Sequence, residues 1–382
     1  MAVDLLVTDL NLAYMGAPLD GWTDLSAEVR FNEPAAGTVT LPAHPQYLQL
    51  LQPGRRMVVI RDGDIWCAGP IEEPQRSKRS ASDDPKVGTV QVSFTDDLGR
   101  MGGLITYPDP SVNAESQDTA TDEVYTQTAG AGTIIRTLAN LNCGPGAVAG
   151  RRIQKLTAPT TTLGASTTIT TRFEPLLDAF RTLAAADGLG FRTRQDGADI
   201  VFEVYEPVDR TLSARFSYDF GNLREDEYAL IAPTATSEIV MGGDEGSREY
   251  VEVTNGGAVA DWWRQEKFIE QSGTTDSAGE LTQAGAAALL EDNPQAYLAT
   301  ETVDTPTMRA GVHFGLGDLV SVVPYPGAQV TDLVRAMRLE STPDGGDRVV
   351  VTVGTAEATA NLRIYRQIQE LARRLGRIET RR

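Results

Sequence analysis

The alternation of hydrophobic and polar residues predicts a chain built mostly from short β-strands. Residues 26–31 and 200–205 alternate in the way of half-buried strands, whereas 56–60 is a continuous apolar run. Asp62-Gly63 and Asp196-Gly197 are hairpin turn signals. Further strands are predicted at 37–41, 65–68, 89–94, 191–193, 237–241, 250–253 and 262–269, and a polar loop at 76–85.

Helical periodicity interrupts the strands in the middle of the chain. One helix is predicted over 132–141, and a second begins after Glu174-Pro175 and ends at Gly188. Ser277 and Glu280 have the spacing of a capping box for a third helix that runs to about Asp292. Residues 106–233 are therefore expected to be α+β.

The last twenty-two residues have a different character from the rest. Residues 361–382 contain seven arginines and two glutamates, a net charge of +5 in a chain of net charge −19. Apolar residues recur there at spacings of 4, 3, 4 and 3, which predicts an amphipathic helix for oligomerisation or partner docking. Its stripe is Ile364, Ile368, Leu371, Leu375 and Ile378. The alternative is that this helix packs against a predicted β-barrel of its own chain. The stripe covers about two and a half heptads, which is short for a coiled coil.

Two blocks of the sequence share the same order of elements. Residues 56–94 and 317–353 each contain a strand, a turn, a returning strand, a polar loop and a third strand. Either β-meanders resemble one another in general, or the chain contains a duplicated barrel.

The predicted fold is mainly β with an α+β insertion. Its predicted domains are a first β-barrel at 1–105, an α+β middle at 106–233, a second β-barrel with a helical insertion at 234–355 and the basic amphipathic helix at 356–382.

Composition narrows the classes of function. A pI near 4.6 argues against binding nucleic acid by neutralising phosphates. The chain lacks an apolar run of membrane-spanning length and starts with acids where a signal peptide needs basic residues, so we expect assembly in a cytosol. Cys67 and Cys143 are isolated, which argues against a disulfide framework or a structural zinc site.

The sequence contains few candidates for catalysis. His44 and His313 are the two histidines, and neither has an acid or nucleophile beside it in a known motif. The glycine-rich residues 144–150 follow a helix rather than a strand, which favours a turn over a dinucleotide site, and the acidic residues 242–246 favour a hairpin tip. The chain is therefore predicted not to be an enzyme and to need no cofactor or metal.

Two alternative functions remain open. Trp262 and Trp263 would alternate sides on a strand, so one ring could be exposed and bind carbohydrate. Adjacent acids at 72–73, 96–97 and 225–227 point different ways on a strand and are interpreted as solvated faces. A glycosidase that uses two such carboxylates is the second of these alternatives.

Several segments in order resemble the tail-tip (baseplate) hub proteins of long-tailed bacteriophages that infect actinobacteria. Residues 29–71, which include Gly37-Thr-Val-Thr-Leu-Pro42 and Leu51-Gln-Pro-Gly-Arg-Arg-Met-Val-Val-Ile60, resemble the opening barrel of that family. Residues 204–211, 216–217, 221–223 and 240–248 resemble its middle markers, and 316–322 the strand that opens its second barrel. The resemblance covers about residues 1–355.

The resemblance implies a structural protein of the virion tail tip, assembled in the host cytoplasm. It implies a homotrimeric ring that caps the tail tube, with two related barrels from each subunit and a channel for DNA ejection. The implied partners are the distal tail protein ring, the tape measure protein and the tip or fibre proteins. Passing DNA would not be bound specifically, since an acidic lumen repels it.

Overall fold

The structure is a computed structural model that describes residues 3–78, 88–117, 123–243, 246–272, 279–302, 305, 307–324 and 329–354. The chain divides into two compact units. Unit 1 contains Met1–Glu225 and Thr300–Thr352, and unit 2 contains Asp226–Ala299 and Val353–Arg382. Strands predominate over helices in the described residues, which confirms the predicted mainly β class.

The strands follow the predicted alternation closely. In chain order they are β1 (Val3–Thr8), β2 (Asp24–Arg30), β3 (Glu33–Pro42), β4 (Arg56–Arg61), β5 (Asp64–Lys78), β6 (Thr89–Thr95), β7 (Tyr125–Gly130), β8 (Leu156–Thr157), β9 (Ser166–Thr171), β10 (Gly190–Asp196), β11 (Asp199–Tyr205), β12 (Arg215–Ser217), β13 (Leu223–Ile231), β14 (Ser237–Gly243), β15 (Glu249–Thr254), β16 (Glu266–Ser272), β17 (Gln295–Thr302), β18 (Leu319–Val323), β19 (Val330–Thr342) and β20 (Gly346–Gly354).

The helices are short and lie mostly between the strand groups. They are α1 (Pro45–Leu50), α2 (Asp97–Gly102), α3 (Ala131–Asn142), α4 (Leu176–Asp187), α5 (Gly256–Asp261) and α6 (Glu280–Asp292). Within the part of the chain that the structure describes, no helix is long and apolar enough to cross a membrane.

One large sheet organises unit 1. Its strands follow the order β1-β4-β5-β6-β3-β2-β19-β20, and β18 pairs with both β19 and β12. The long strand β5 pairs with β4 through its first half and with β6 through its second half. Register shifts on β5 lie near Pro70 and Pro74, where a bulge tolerates a residue without an N–H. Strands β2 and β19 pair antiparallel and join the two ends of the chain in this sheet.

The two sequence blocks fold into similar strand modules. In the first, β4, β5 and β6 are consecutive neighbours; in the second, β18, β19 and β20 are. Strand β3 follows β6 in the sheet, and Thr300 of β17 donates its hydroxyl to the Val351 carbonyl of β20 at 2.8 Å. The strand order β4-β5-β6-β3 around the first module thus matches the order β18-β19-β20-β17 around the second. The flanking strands differ, because β1 is antiparallel to β4 and β12 is parallel to β18.

An α+β core lies between these modules in the sequence. Helices α3 and α4 bury their apolar faces against β8, β10 and β11. Phe180, Phe191 and Phe202 form its centre, with ring centroids 5.3–6.3 Å apart. Helix α4 ends at Gly188, whose φ of 65° is the left-handed conformation that glycine adopts at little cost.

Unit 2 contains a three-stranded sheet in the order β15-β14-β16. Helix α6 packs on one face of it, close enough that a Cβ on Gly285 would lie 2.8 Å from Val253 and 3.0 Å from Val240. The predicted hairpin tip at 242–246 joins β14 and β15, which are antiparallel.

Three local predictions were wrong. The predicted strand 262–269 begins only at Glu266, because α5 ends at Asp261 and Trp262 forms its C-cap. The capping box was misplaced, since α6 starts at Glu280 with Gly279 as N-cap. Residues 76–78, assigned to a polar loop, continue β5.

Candidate functional site

A fully buried arginine fastens the first strand module to the α+β core. The guanidinium of Arg56, at the start of β4, pairs with Asp97 of α2 and donates to Gln195 Oε1 of β10 at 2.8 Å. It also reaches Thr8 Oγ1 at 3.4 Å, and Arg100 approaches Asp97 at 3.8 Å. A buried charge is tolerated only when it is paired and hydrogen-bonded. This cluster therefore fixes how the elements of unit 1 fit together.

Asn32 makes a second connection to the α+β core, from the turn between β2 and β3. It lies in the turn between β2 and β3 with a φ of 58°, a conformation that asparagine accepts more readily than most residues. Its side chain donates to the Leu189 carbonyl at 3.0 Å and accepts from the Phe191 N–H at 2.7 Å. The turn is thus hydrogen-bonded to the first residues of β10.

Asp318, which precedes β18, connects the second strand module to the segment that follows β11. Its carboxylate accepts from the backbone N–H groups of Val208 (3.1 Å) and Gly315 (2.9 Å), and from Arg210 Nε (2.7 Å). The hydroxyl of Tyr205 donates to the Leu316 carbonyl at 3.0 Å. The chain that leaves β11 is therefore held against the loop before β18.

A cleft of about 270 Å³ opens in unit 1 where the two strand modules and the α+β core meet. It is lined by arginines and by two acids: Arg30, Arg61, Arg192, Arg194, Arg309, Asp64 and Asp96. Four of the arginines pair with carboxylates: Arg30–Glu28 (2.5 Å), Arg192–Glu203 (2.6 Å), Arg194–Asp196 (2.7 Å) and Arg309–Asp62. The fifth, Arg61, lies over the Trp66 ring at 5.4 Å and donates to the Ala310 carbonyl at 3.3 Å.

One of the two acids in the cleft also caps a helix. Of the described residues that line the cleft, none is a histidine, cysteine or serine. Burial raises the pKa of Asp96 to about 7, and the Asp96 side chain accepts the Leu98 N–H as the N-cap of α2. Burial also raises the pKa of Asp97, against the opposing effect of Arg56.

The remaining sequence candidates have structural surroundings. His44 is exposed and precedes α1, while His313 Nδ1 accepts the Arg309 N–H at 3.0 Å. Residues 144–148 form the predicted turn. Among the described residues, no group of His, Cys, Asp and Glu is arranged to hold a metal ion. The acid pair 96–97 was misinterpreted as a solvated face, since Asp97 is buried against Arg56.

Unit 2 presents an aromatic and acidic surface on the sheet face opposite α6. The register of β15, β14 and β16 aligns Glu252, Ile239 and Phe268 in one row, and Tyr250, Met241 and Glu270 in the next. Tyr250 is 59% exposed and Phe268 is 57% exposed. Nearby, Trp263 is exposed and meets Trp262 edge to face, so one ring of the predicted pair is indeed open to solvent. The outer face is the name used below for the sheet residues Ile239, Met241, Tyr250, Glu252, Glu266, Phe268 and Glu270.

The predicted docking stripe Ile364, Ile368, Leu371, Leu375 and Ile378 lies outside the described residues. The sequence also failed to reveal the buried contacts of Arg56, Asn32 and Asp318. The one available signal was a charged residue opening the otherwise apolar run 56–60. The partners of Arg56 are 41, 48 and 139 residues away, which no local pattern reveals.

The fold is shared with solved phage tail proteins. The 43 kDa tail protein of prophage MuSo2 from Shewanella oneidensis matches with a TM-score of 0.60 and 14% identity, over 92% of this chain and 98% of that one. A tail protein from Neisseria meningitidis MC58 gives 0.58 and 13%, over 93% and 97%. Prophage tail protein gp18 from Listeria monocytogenes gives 0.56 and 13%, over 97% and 99%.

Sequence comparison identifies the family. No curated protein sequence matches the chain significantly. The family described as Siphovirus ReqiPepy6 Gp37-like protein matches residues 4–355, nearly the whole chain. This match confirms the predicted resemblance to a protein family of long-tailed phages, and the fold is that of phage tail proteins. The chain therefore belongs to the Siphovirus ReqiPepy6 Gp37-like protein family.

Proposed function

We propose that this chain is a non-enzymatic structural hub of a phage tail tip. Three copies form a ring that caps the tail tube and leaves a channel for DNA ejection. The observation that carries the proposal is the pair of strand modules with matching orders, 4-5-6-3 and 18-19-20-17, in a siphovirus tail protein. Two similar modules from each of three subunits present six similar surfaces, which suits a six-fold tube.

The interior of unit 1 supports a structural role. The bonds of Arg56, Asn32 and Asp318 fix both modules to the α+β core, as a load-transmitting ring requires. The chain's charge of −19 would repel DNA from a channel wall rather than retain it. In this proposal the domains are 1–105, 106–233 and 234–355, and the partners are the distal tail protein ring, the tape measure protein and the tip or fibre proteins.

The basic segment 356–382 is proposed to serve oligomerisation or partner docking through Ile364, Ile368, Leu371, Leu375 and Ile378. Light scattering on the purified full chain, over a range of concentrations, tests the ring. We expect a mass three times 41.1 kDa. A monomer at every concentration, together with a tail-tip image in which the chain is not present in three copies, would refute the hub.

A second candidate function is binding of host cell-wall carbohydrate. It is favoured by Trp263, which is 55% exposed beside Trp262. Glycan-array binding that Trp263→Ala abolishes, and that Tyr14→Ala at another exposed aromatic leaves intact, would support this function over a purely structural one.

A further inference from the structure

The outer face of unit 2 is the side of the three-stranded sheet that α6 does not cover. The opposite face packs against α6 at Val240 and Val253. On the outer face, Tyr250 and Phe268 are more than half exposed and flank Ile239 and Met241. Exposed aromatic side chains that adjoin a buried apolar centre are characteristic of interaction surfaces.

The apolar residues of the outer face run diagonally across three strands. Tyr250 lies on β15, Met241 and Ile239 on β14, and Phe268 on β16. Glutamates lie on both sides of this diagonal: Glu270 on one side, and Glu252 and Glu266 on the other. Arg264 pairs with Glu252 at 2.8 Å and with Glu266 at 2.7 Å, and the residues of the outer face themselves include three glutamates and no cationic side chain.

The surroundings of the outer face are strongly acidic. Residues 226–299 contain fourteen acidic and three basic residues, a net charge of −11. A segment that docks here should therefore be basic as well as apolar along one side. Residues 361–382, with a charge of +5 and a five-residue apolar stripe, have that chemistry.

The dimensions of the two surfaces agree. A helix over the stripe 364–378 would be about 22 Å long at roughly 1.5 Å per residue. Strands β15 and β16, of six and seven residues, extend about 20–23 Å at roughly 3.3 Å per residue. A helix on the diagonal would bury Tyr250 and Phe268 and would give the sheet a helical layer on each face, one of the common layer arrangements.

We propose that the outer face of one copy binds the C-terminal segment 361–382 of a neighbouring copy. Each copy carries both complementary surfaces, and such a head-to-tail contact closes into a ring when its rotation permits. The choice of a neighbouring copy rests on the ring in the proposed function. The segment's stripe then contacts Ile239, Tyr250 and Phe268, and its arginines meet the glutamates on either side of the diagonal.

Disulfide cross-linking of the full chain tests this assignment. The natural cysteines give little background, because Cys67 and Cys143 are buried and burial raises the pKa of both thiols, that of Cys143 to about 12. The double variant Phe268→Cys with Ile368→Cys places one thiol on each surface. Mild oxidation should produce covalent dimers and trimers on a non-reducing gel.

The control is Leu290→Cys with Ile368→Cys. Leu290 is an exposed apolar residue of α6 in the same unit, 64% exposed and outside the outer face, so its cross-links should be at least tenfold fewer. Cross-links confined within single chains would overturn the assignment to a neighbouring copy. Equal cross-linking of both double variants, or none in either, would overturn the docking site.

A charge substitution provides a second readout. Phe268→Glu should raise the concentration needed for assembly at least tenfold, whereas Leu290→Glu should leave it unchanged. If the wild-type chain has the mass of a trimer but Phe268→Glu assembles normally, the docking inference fails and the hub stands. If the wild-type chain remains a monomer at every concentration and the chain is not present in three copies in the tail tip, the hub itself fails.

Discussion

Single buried residues determine how the parts of unit 1 fit together. Arg56 has no exposed surface, yet its guanidinium has three side-chain partners on three different elements. Asn32 and Asp318 likewise hydrogen-bond to groups distant in the sequence. Such polar contacts contribute to specificity more than to net stability, because the desolvation of each group offsets much of the interaction energy.

Replacing Arg56 by methionine should lower the free energy of unfolding by about 3–5 kcal/mol, because Asp97 would remain buried without its partner. Arg76→Met is the matched control. Arg76 pairs with Glu73 at 2.8 Å, but its side chain is 66% exposed, so the loss should be about 0–1 kcal/mol. Urea denaturation measures both; equal losses would show that burial of the Arg56 pair has no special role.

Asp96 should make stability depend on pH. Burial raises its pKa from 3.8 to about 7, so the folded chain binds an additional proton between these values. Its contribution to stability is then present at low pH and is lost as the pH rises toward 7. Asp96→Asn, which can still cap α2, should therefore gain stability relative to the wild type between pH 5 and pH 8.

Unfolding free energies measured across that range test the sign. Asp109→Asn is the control, because hydrogen bonds from Ser111 lower the pKa of the partly exposed Asp109 from its ordinary value of 3.8, so this carboxylate stays ionised across that range. Its difference from the wild type should stay constant from pH 5 to pH 8. A constant difference for Asp96→Asn as well would contradict the raised pKa.

At the scale of elements, hydrophobic periodicity predicted most strands and both longer helices of the α+β core, because each buries one face. It missed α5, whose first two residues are glycines and whose six residues are too few to show a period. It also could not supply the β2–β19 pairing, since strand alternation shows which face is buried but not which strand lies alongside. The cleft depends on that pairing and was equally inaccessible.

A close contact between β3 and β6 gives a prediction at this scale. Gly37 is directly opposite Phe94, and a Cβ there would lie 2.1 Å from the ring. Gly37→Ala should lower the free energy of unfolding by about 1–3 kcal/mol, because the buried ring must move. Gly150→Ala has open space at the same position and should change stability little. Thermal denaturation of both variants decides; equal melting temperatures would contradict the packing argument.

At the scale of the whole molecule, folding and assembly should be separable. The buried core residues that the structure describes end at Val353, before the basic segment. Deletion of 361–382 should therefore leave the melting temperature within about 2 °C of the wild type, while the mass in solution falls from trimer toward monomer. Calorimetry and light scattering measure the two effects. A truncated chain that still assembles would exclude the segment as a docking element.

The pairing of β2 with β19 has a consequence for synthesis. Arg30 lies opposite Ala336, so one edge of β2 has no partner until roughly 300 further residues have been made. At about 5–20 residues per second, translation leaves that edge unpaired for roughly 15–60 s. An open strand edge readily pairs with another chain. Newly made chains on the same messenger are therefore most prone to aggregate during this interval, and slower initiation, which spaces the ribosomes apart, should raise the yield of folded protein.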